Sequence, residues 1–194
     1  MSPSRCKNYY LITGLFLLMF SNINSQQLNI KGGLFSFFDN REYFNYYEND
    51  QTIFGTRAYV TSGIKINPKT EFVLGLDGLY EFGSKLNDDY VKPLAYIHHQ
   101  MEVVDLYIGS FYREPIINMP DVLLNDTLQY YKPNVEGIYL AYNKTKFKQN
   151  VWIDWVSRQS KADKEIFHLG GSGSLILNWF YYKHDFIFTH YALT

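Results

Sequence analysis

The sequence predicts an all-β fold, an antiparallel transmembrane β-barrel of the outer-membrane kind, of which this chain forms the N-terminal part, about nine strands of a larger barrel. Three observations predict it. The chain opens on a secretory leader, continues as strands that alternate apolar and polar residues, and joins those strands by connections that are alternately short and long. No apolar run reaches the roughly 20 residues that a helix needs to cross a bilayer.

In the leader, Arg5 and Lys7 form a positive start, residues 9–20 an apolar core, and residues 21–25 a stretch of small polar residues. Residues 1–25 therefore read as a cleaved signal peptide and 26–194 as one outer-membrane barrel domain, incomplete at its C-terminus. The only cysteine, Cys6, precedes the apolar core and leaves with it, so disulfides, thiolate metal sites and cysteine nucleophiles drop out together. Net charge is −1, and loss of Arg5 and Lys7 lowers it by two. Without a basic stripe, nucleic acid is not an expected partner. Aromatic residues make up 19% of the chain against an ordinary 46% of hydrophobic ones. A barrel wall accounts for both figures, because only every second residue faces lipid and aromatic girdles sit at the two interfaces.

The strands follow in order. The first spans 28–38 and the second 52–66, where Phe54, Ala58, Val60, Ile64 and Ile66 share the lipid face and Arg57, Tyr59, Thr61 and Lys65 the other. The third, 71–83, sets Phe72, Leu74, Leu76, Tyr80 and Phe82 opposite Asp77 and Glu81. A fourth, 93–100, has an open phase, since Ala95 and Ile97 compete with Leu94 and Tyr96 for the lipid side. The fifth, 103–113, opposes Val104, Leu106 and Ile108 to Asp105, Tyr107 and Arg113, and the sixth, 135–143, offers Ile138, Leu140 and Tyr142 to lipid. In the seventh, 147–158, Val151, Ile153 and Trp155 alternate with Trp152 and Asp154. The eighth, 166–181, carries Leu175, Leu177 and Trp179 against Ser172, Ser174 and Asn178, and a ninth starts near Asp185.

Connections at 67–70, about Met101, 144–146 and about Lys183 are short, whereas 39–51, 84–91, 114–132 and 159–164 are longer. Short turns belong to the periplasmic end of a membrane barrel and long loops to the outer end. Pro68, Pro115, Pro120 and Pro133 fall in connections, where no ladder hydrogen bond is lost. Nine strands is an odd number for a closed single-chain barrel, so strands one and nine are expected to remain unjoined in an open, curved sheet.

Under this topology, charged and amide groups gather at the long-loop rim. They are Asp39, Asn40, Arg41 and Glu42 after strand one, Arg113 and Glu114 after strand five, Asn134 and Glu136 at strand six, and Arg158 and Gln159 after strand seven. Such a ring suits a site for a small solute or glycan, or a network that pins the loops. On the inward face lie Arg57, Lys65, Asp77, Glu81, Asp105 and Asp154, a lumen of both signs. His98 and His99 are adjacent and point to opposite faces, so they cannot share a metal. His168, with Ser172 and Ser174 at even spacing, is the least poor hydrolase arrangement and resembles in kind the lipid-modifying barrels of the outer membrane. Four residues along a strand, however, place two Cα atoms about 13 Å apart, too far for a direct bond.

Several blocks in order, Phe38 to Tyr43, Gly55-Thr56-Arg57, Tyr131 to Gly137, Asp154-Trp155 and Arg158-Gln159, resemble a porin-like family of outer-membrane proteins from Bacteroidetes whose function is largely unassigned. The resemblance implies a fold and an outer-membrane location more than an activity. The resulting expectation is a non-enzymatic barrel that passes or binds small solutes, set in outer-membrane lipid, with no catalytic residue, metal or cofactor. The alternatives are an outer-membrane lipid-modifying hydrolase and a secreted carbohydrate-binding β-sandwich.

Overall fold

A computed structural model describes residues 28–42, 50–84, 90–124, 128–161 and 163–192, so the leader lies outside the described residues. Nine antiparallel strands form one sheet in sequence order: β1 (Leu28–Arg41), β2 (Gln51–Asn67), β3 (Thr70–Glu81), β4 (Tyr90–Gln100), β5 (Val104–Tyr112), β6 (Asn134–Asn143), β7 (Phe147–Ser157), β8 (Ile166–Ile176) and β9 (Tyr181–Tyr191). A single helical turn, α1 (Leu128–Tyr131), interrupts the β5–β6 connection. Among the described residues β1 pairs with β2 alone and β9 with β8 alone, so the sheet is open.

The sheet is strongly curved. β2 and β5 are three strand steps apart, about 14 Å across a flat sheet. Yet the rings of Tyr59 on β2 and Tyr112 on β5 lie 4.6 Å apart. Only a sheet coiled toward that face brings them together, and that concave face holds the buried residues.

Alternation along the strands follows the expected phase. Val60, Leu76, Ile108, Ile138, Leu140, Val151 and Trp155 are exposed on the convex face, while Arg57, Asp77, Tyr139, Trp152 and Asp154 are buried on the concave one. For β4 the choice left open in the sequence is resolved: Leu94 is 1% exposed and Tyr96 packs on the core, whereas Ile97 is exposed. One core cluster joins Phe111, Ile117, Val135, Tyr139, Ala141 and Trp152, and a second joins Phe37, Ile53, Leu79 and Tyr130. Tyr139, Trp152, Gly170 and Ile187 form one cross-strand row. A Cβ at position 170 would collide with the Trp152 indole, so glycine leaves room for the largest buried side chain.

One local expectation needs correction. The eighth strand ends at Ile176, residues 177–180 turn, and β9 begins at Tyr181, so Leu177 and Trp179 are turn residues and the turn is not at Lys183. The apolar run 175–182 masks that turn, because it carries neither the glycine nor the proline that punctuates most turns. Tyr112, which the sequence did not phase, breaks the alternation. By strict alternation it shares a face with Ile108, yet its hydroxyl donates to buried Asp77. The β4–β5 ladder stops at the Ala95–Ser110 pair, just before Pro93, which lacks an N–H, while β5 continues against β6 to the Tyr112–Asn134 pair. Freed from β4, this end of β5 turns Tyr112 inward. Gly109, at φ +125°, lies at the start of that divergence, where a Cβ would strike the Ala95 carbonyl oxygen.

Connections sort by end. Residues 68–69, 101–103, 144–146 and 177–180 turn tightly at one rim, and the longer connections, 113–133 the longest of them, lie at the other.

Candidate active site

The described parts of the 113–133 connection, 113–124 and 128–133, fold back into the concavity, where Ile117 and Tyr130 join the two core clusters. Its start is fixed by the Arg113 N–H donating to the Pro133 carbonyl and the Ile117 N–H to the Arg113 carbonyl, both at 2.7 Å. Its far end is held by Tyr130 on α1. That ring stacks on Phe37 of β1 at 4.1 Å, its hydroxyl donates to Asp39 and accepts from Arg41 at 2.5 Å, and its carbonyl accepts from Arg57. Burial first, then the hydrogen bond to Asp39, pushes the Tyr130 hydroxyl up to about 12. Tyr131, likewise raised by burial and by Glu81, keeps its proton as well.

Under this roof lies a pocket of about 500 Å³. Apolar walls come from Phe35, Tyr59, Ile117, Met119, Leu124 and Leu128, and polar ones from Arg57, Arg113, Glu114, Asn118 and Asp121. Its size is that of a site for one small ligand or one chain of a larger one.

Two buried ion pairs support the pocket. Arg57 on β2 pairs with Asp77 on β3, whose other oxygen accepts from Tyr112. Arg113 pairs with Asp154 on β7 at 2.6 Å, its guanidinium 5.9 Å over the Trp152 ring, and Asp154 also accepts the Glu136 backbone N–H at 2.9 Å. Each pair sits in surroundings where removal of one partner would strand a charge.

From Asp154 a row runs across the sheet. The register sets Asp154 beside His168 on β8 and His168 beside Thr189 on β9. His168 Nδ1 lies 3.0 Å from Thr189 Oγ1. That is the separation a base needs from the hydroxyl it activates, with a carboxylate next in line. All three stand near the long-loop rim, two or three residues from the ends of their strands.

The residues singled out in the sequence are distributed as follows. Asp39 and Arg41 form an ion pair at 2.6 Å, and Asn40 accepts from Thr52 and donates to Glu42. Arg113 meets Asp154, Glu114 lines the pocket, and Glu136 lies 3.9 Å from Lys92. Asn134 is buried, with no hydrogen-bond partner for its side chain among the described residues. Arg158 makes no ion pair among the described residues, and Gln159 accepts the Glu165 N–H at 3.0 Å. Of the inward charges, Arg57, Asp77 and Asp154 are buried, Glu81 bonds Tyr131, Asp105 lies 3.4 Å from His98, and Lys65 sits exposed near the short-turn rim. Among the described residues no group of three or more His, Cys, Asp or Glu side chains is placed to hold a metal ion.

Thr189, Tyr112 and Tyr130 escaped the sequence reading. A turn centred on Lys183 would carry the partner of His168 past Thr194, so the misplaced turn hid Thr189 and left only Ser172 and Ser174 along the same strand as partners to weigh.

Comparison with known families decides the class. Residues 20–192 match the lipid A 3'-O-deacylase-type family. The chain belongs to that family. The porin-like resemblance is thereby corrected, and so is the expectation of a non-enzymatic protein, because the matched family is one of deacylases. Among curated proteins no match is found.

Proposed function

We propose that this chain is an outer-membrane lipid-modifying hydrolase that cleaves an acyl ester of lipid A, with His168 as general base, Thr189 as its hydroxyl partner and the pocket under the 113–133 roof as the seat of the acyl group. The observation that carries the reading is the Asp154–His168–Thr189 row, joined through Arg113 to an apolar pocket in a member of a deacylase family.

In this mechanism Thr189 Oγ1 attacks the ester carbonyl carbon as His168 takes its proton. Collapse of the tetrahedral adduct expels the sugar oxygen, which leaves with that proton. Water, deprotonated by His168, then frees the fatty acid and restores the hydroxyl. Asp154 favours the imidazolium formed in each half. Arg113, whose Nε–H has no acceptor among the described residues, offers positive charge where the oxyanion develops.

The convex face supports a position in the membrane. From Leu34 on β1 to Phe188 on β9 every strand exposes large apolar side chains on the convex face, a run of apolar surface unusual for a water-soluble protein. Phe38, Phe54, Phe82 and Trp155 crowd its long-loop margin, as an aromatic girdle would. These features favour a membrane-spanning wall whose long-loop rim carries the site.

The test is release of fatty acid from lipid A by the refolded full chain in detergent micelles. His168→Ala is expected to lower the rate by about 10²–10⁴-fold. Thr189→Ser should keep activity and Thr189→Val lose it. Full activity in Thr189→Val would remove the hydroxyl from the mechanism, and absence of any deacylation by the wild-type chain would sink the reading.

A further inference from the structure

At the opposite rim two tight turns form a single patch. The Ile176 N–H donates to the Lys146 carbonyl at 2.8 Å, tying turn 144–146 to the end of β8 where turn 177–180 begins. Trp179, at 87% exposed, is the most exposed aromatic residue among those described, and Phe147, Leu177, Phe180 and Tyr181 beside it are exposed as well. Lys144 and Lys146 are exposed in the same patch and make no ion pair among the described residues, Lys144 lying 5.7 Å over the Tyr142 ring. The contrast with the β2–β3 turn is sharp, for there the corresponding residues are Asn67, Pro68 and Lys69. A turn that projects into water gains nothing from an uncovered indole and a leucine.

We infer that these joined turns are an interfacial anchor, seated among the headgroups of an anionic phospholipid leaflet. The chemistry fits that occupant on both counts. Indole and phenol rings favour the zone where headgroups meet acyl chains, and paired lysines are drawn to lipid phosphates and to the negative surface potential. The β8–β9 end of the sheet would therefore sit deeper than the β2–β3 end. The inference rests on the reading of the convex face as lipid-facing, and not on the chemistry at the other rim.

The experiment refolds the full chain into phosphatidylcholine vesicles with and without phosphatidylglycerol, at low salt, and measures the inserted fraction. For Lys144→Gln/Lys146→Gln, apparent partition into the anionic vesicles should fall about 5- to 30-fold, toward the value in phosphatidylcholine alone, where the variant and wild type should agree. Lys144→Arg/Lys146→Arg should behave as wild type, and Trp179→Phe should abolish a component of tryptophan quenching by headgroup-labelled lipid. Equal insertion of the wild-type and glutamine variants into anionic vesicles, or no change in quenching on replacing Trp179, would overturn the anchor. Deacylation in detergent is expected to be the same for all these variants, so loss of that activity in the wild type would count against the enzyme reading alone.

Discussion

The two buried arginine–aspartate pairs are alike in residue type, burial and place beside the pocket, yet they are tied into the molecule differently. Arg57 and Asp77 are bound by Tyr112 and by the Tyr130 carbonyl, so this pair joins β2, β3, β5 and α1. Arg113 and Asp154 are held by one another, by the Glu136 backbone N–H and by the Trp152 ring beneath the guanidinium, and Asp154 stands beside His168, which reaches Thr189. The comparison teaches that burial alone does not mark a catalytic charge. Under the proposed mechanism the Arg57–Asp77 pair, tied to β5 and α1, serves the fold, whereas the Arg113–Asp154 pair, beside His168, serves the chemistry.

The sharpest way to break the comparison is to remove one carboxylate from the first pair. Asp77→Ala leaves Arg57 charged in a dry site and should cost about 3–5 kcal/mol, read as a lowered urea midpoint in micelles. Replacing both partners, as in Arg57→Met/Asp77→Leu, should recover most of that loss. If the double variant is as unstable as the single one, the pair is more than a balanced charge.

Asp154→Asn probes the second pair. The amide keeps a hydrogen-bond acceptor for Arg113 but removes the charge beside His168, so kcat should drop by about 10²-fold with little change in KM. Its urea midpoint should stay above that of Asp77→Ala. Equal damage to stability in both aspartate variants would erase the distinction drawn here.

The smallest effect belongs to the roof. Tyr130→Phe removes a hydroxyl that donates to Asp39, at a cost of about 1 kcal/mol. Because burial and Asp39 raise this hydroxyl from 10.0 to about 12, its contribution is complete below pH 10 and is lost as pH rises toward 12. The stability gap between wild type and Tyr130→Phe should therefore close over that interval. A gap that persists unchanged at pH 12 would show that the phenol does not titrate as its contacts imply.

Much of the wall was legible from the sequence because strand period two is a local property. Arg57, Asp77, Trp152 and Asp154 could be phased from their own neighbours, and the order of short and long connections needed only the strands between them. The site was not legible for the same reason reversed. Thr189 meets His168 only through the register of two strands, which a turn misplaced by a few residues shifts altogether. Tyr112 reaches Asp77 because β5 leaves β4, an event with no signature beyond Pro93 and Gly109. Tyr130 lies far along the longest connection, and only the fold brings it to Asp39.

The strands differ greatly in length, and that gives the wall an uneven skyline. β2 runs for 17 residues and β1 for 14, but β5 for only 9. At about 3.3 Å per residue β2 is roughly 56 Å long and β5 about 30 Å, the thickness of a hydrocarbon layer. The parapet is thus lowest at β5, from which the 113–133 roof springs and whose Tyr112 lines the pocket. If the convex face is the lipid-facing wall proposed above, an acyl chain has its shortest climb from bilayer to pocket there, and the dip in the rampart doubles as a doorstep.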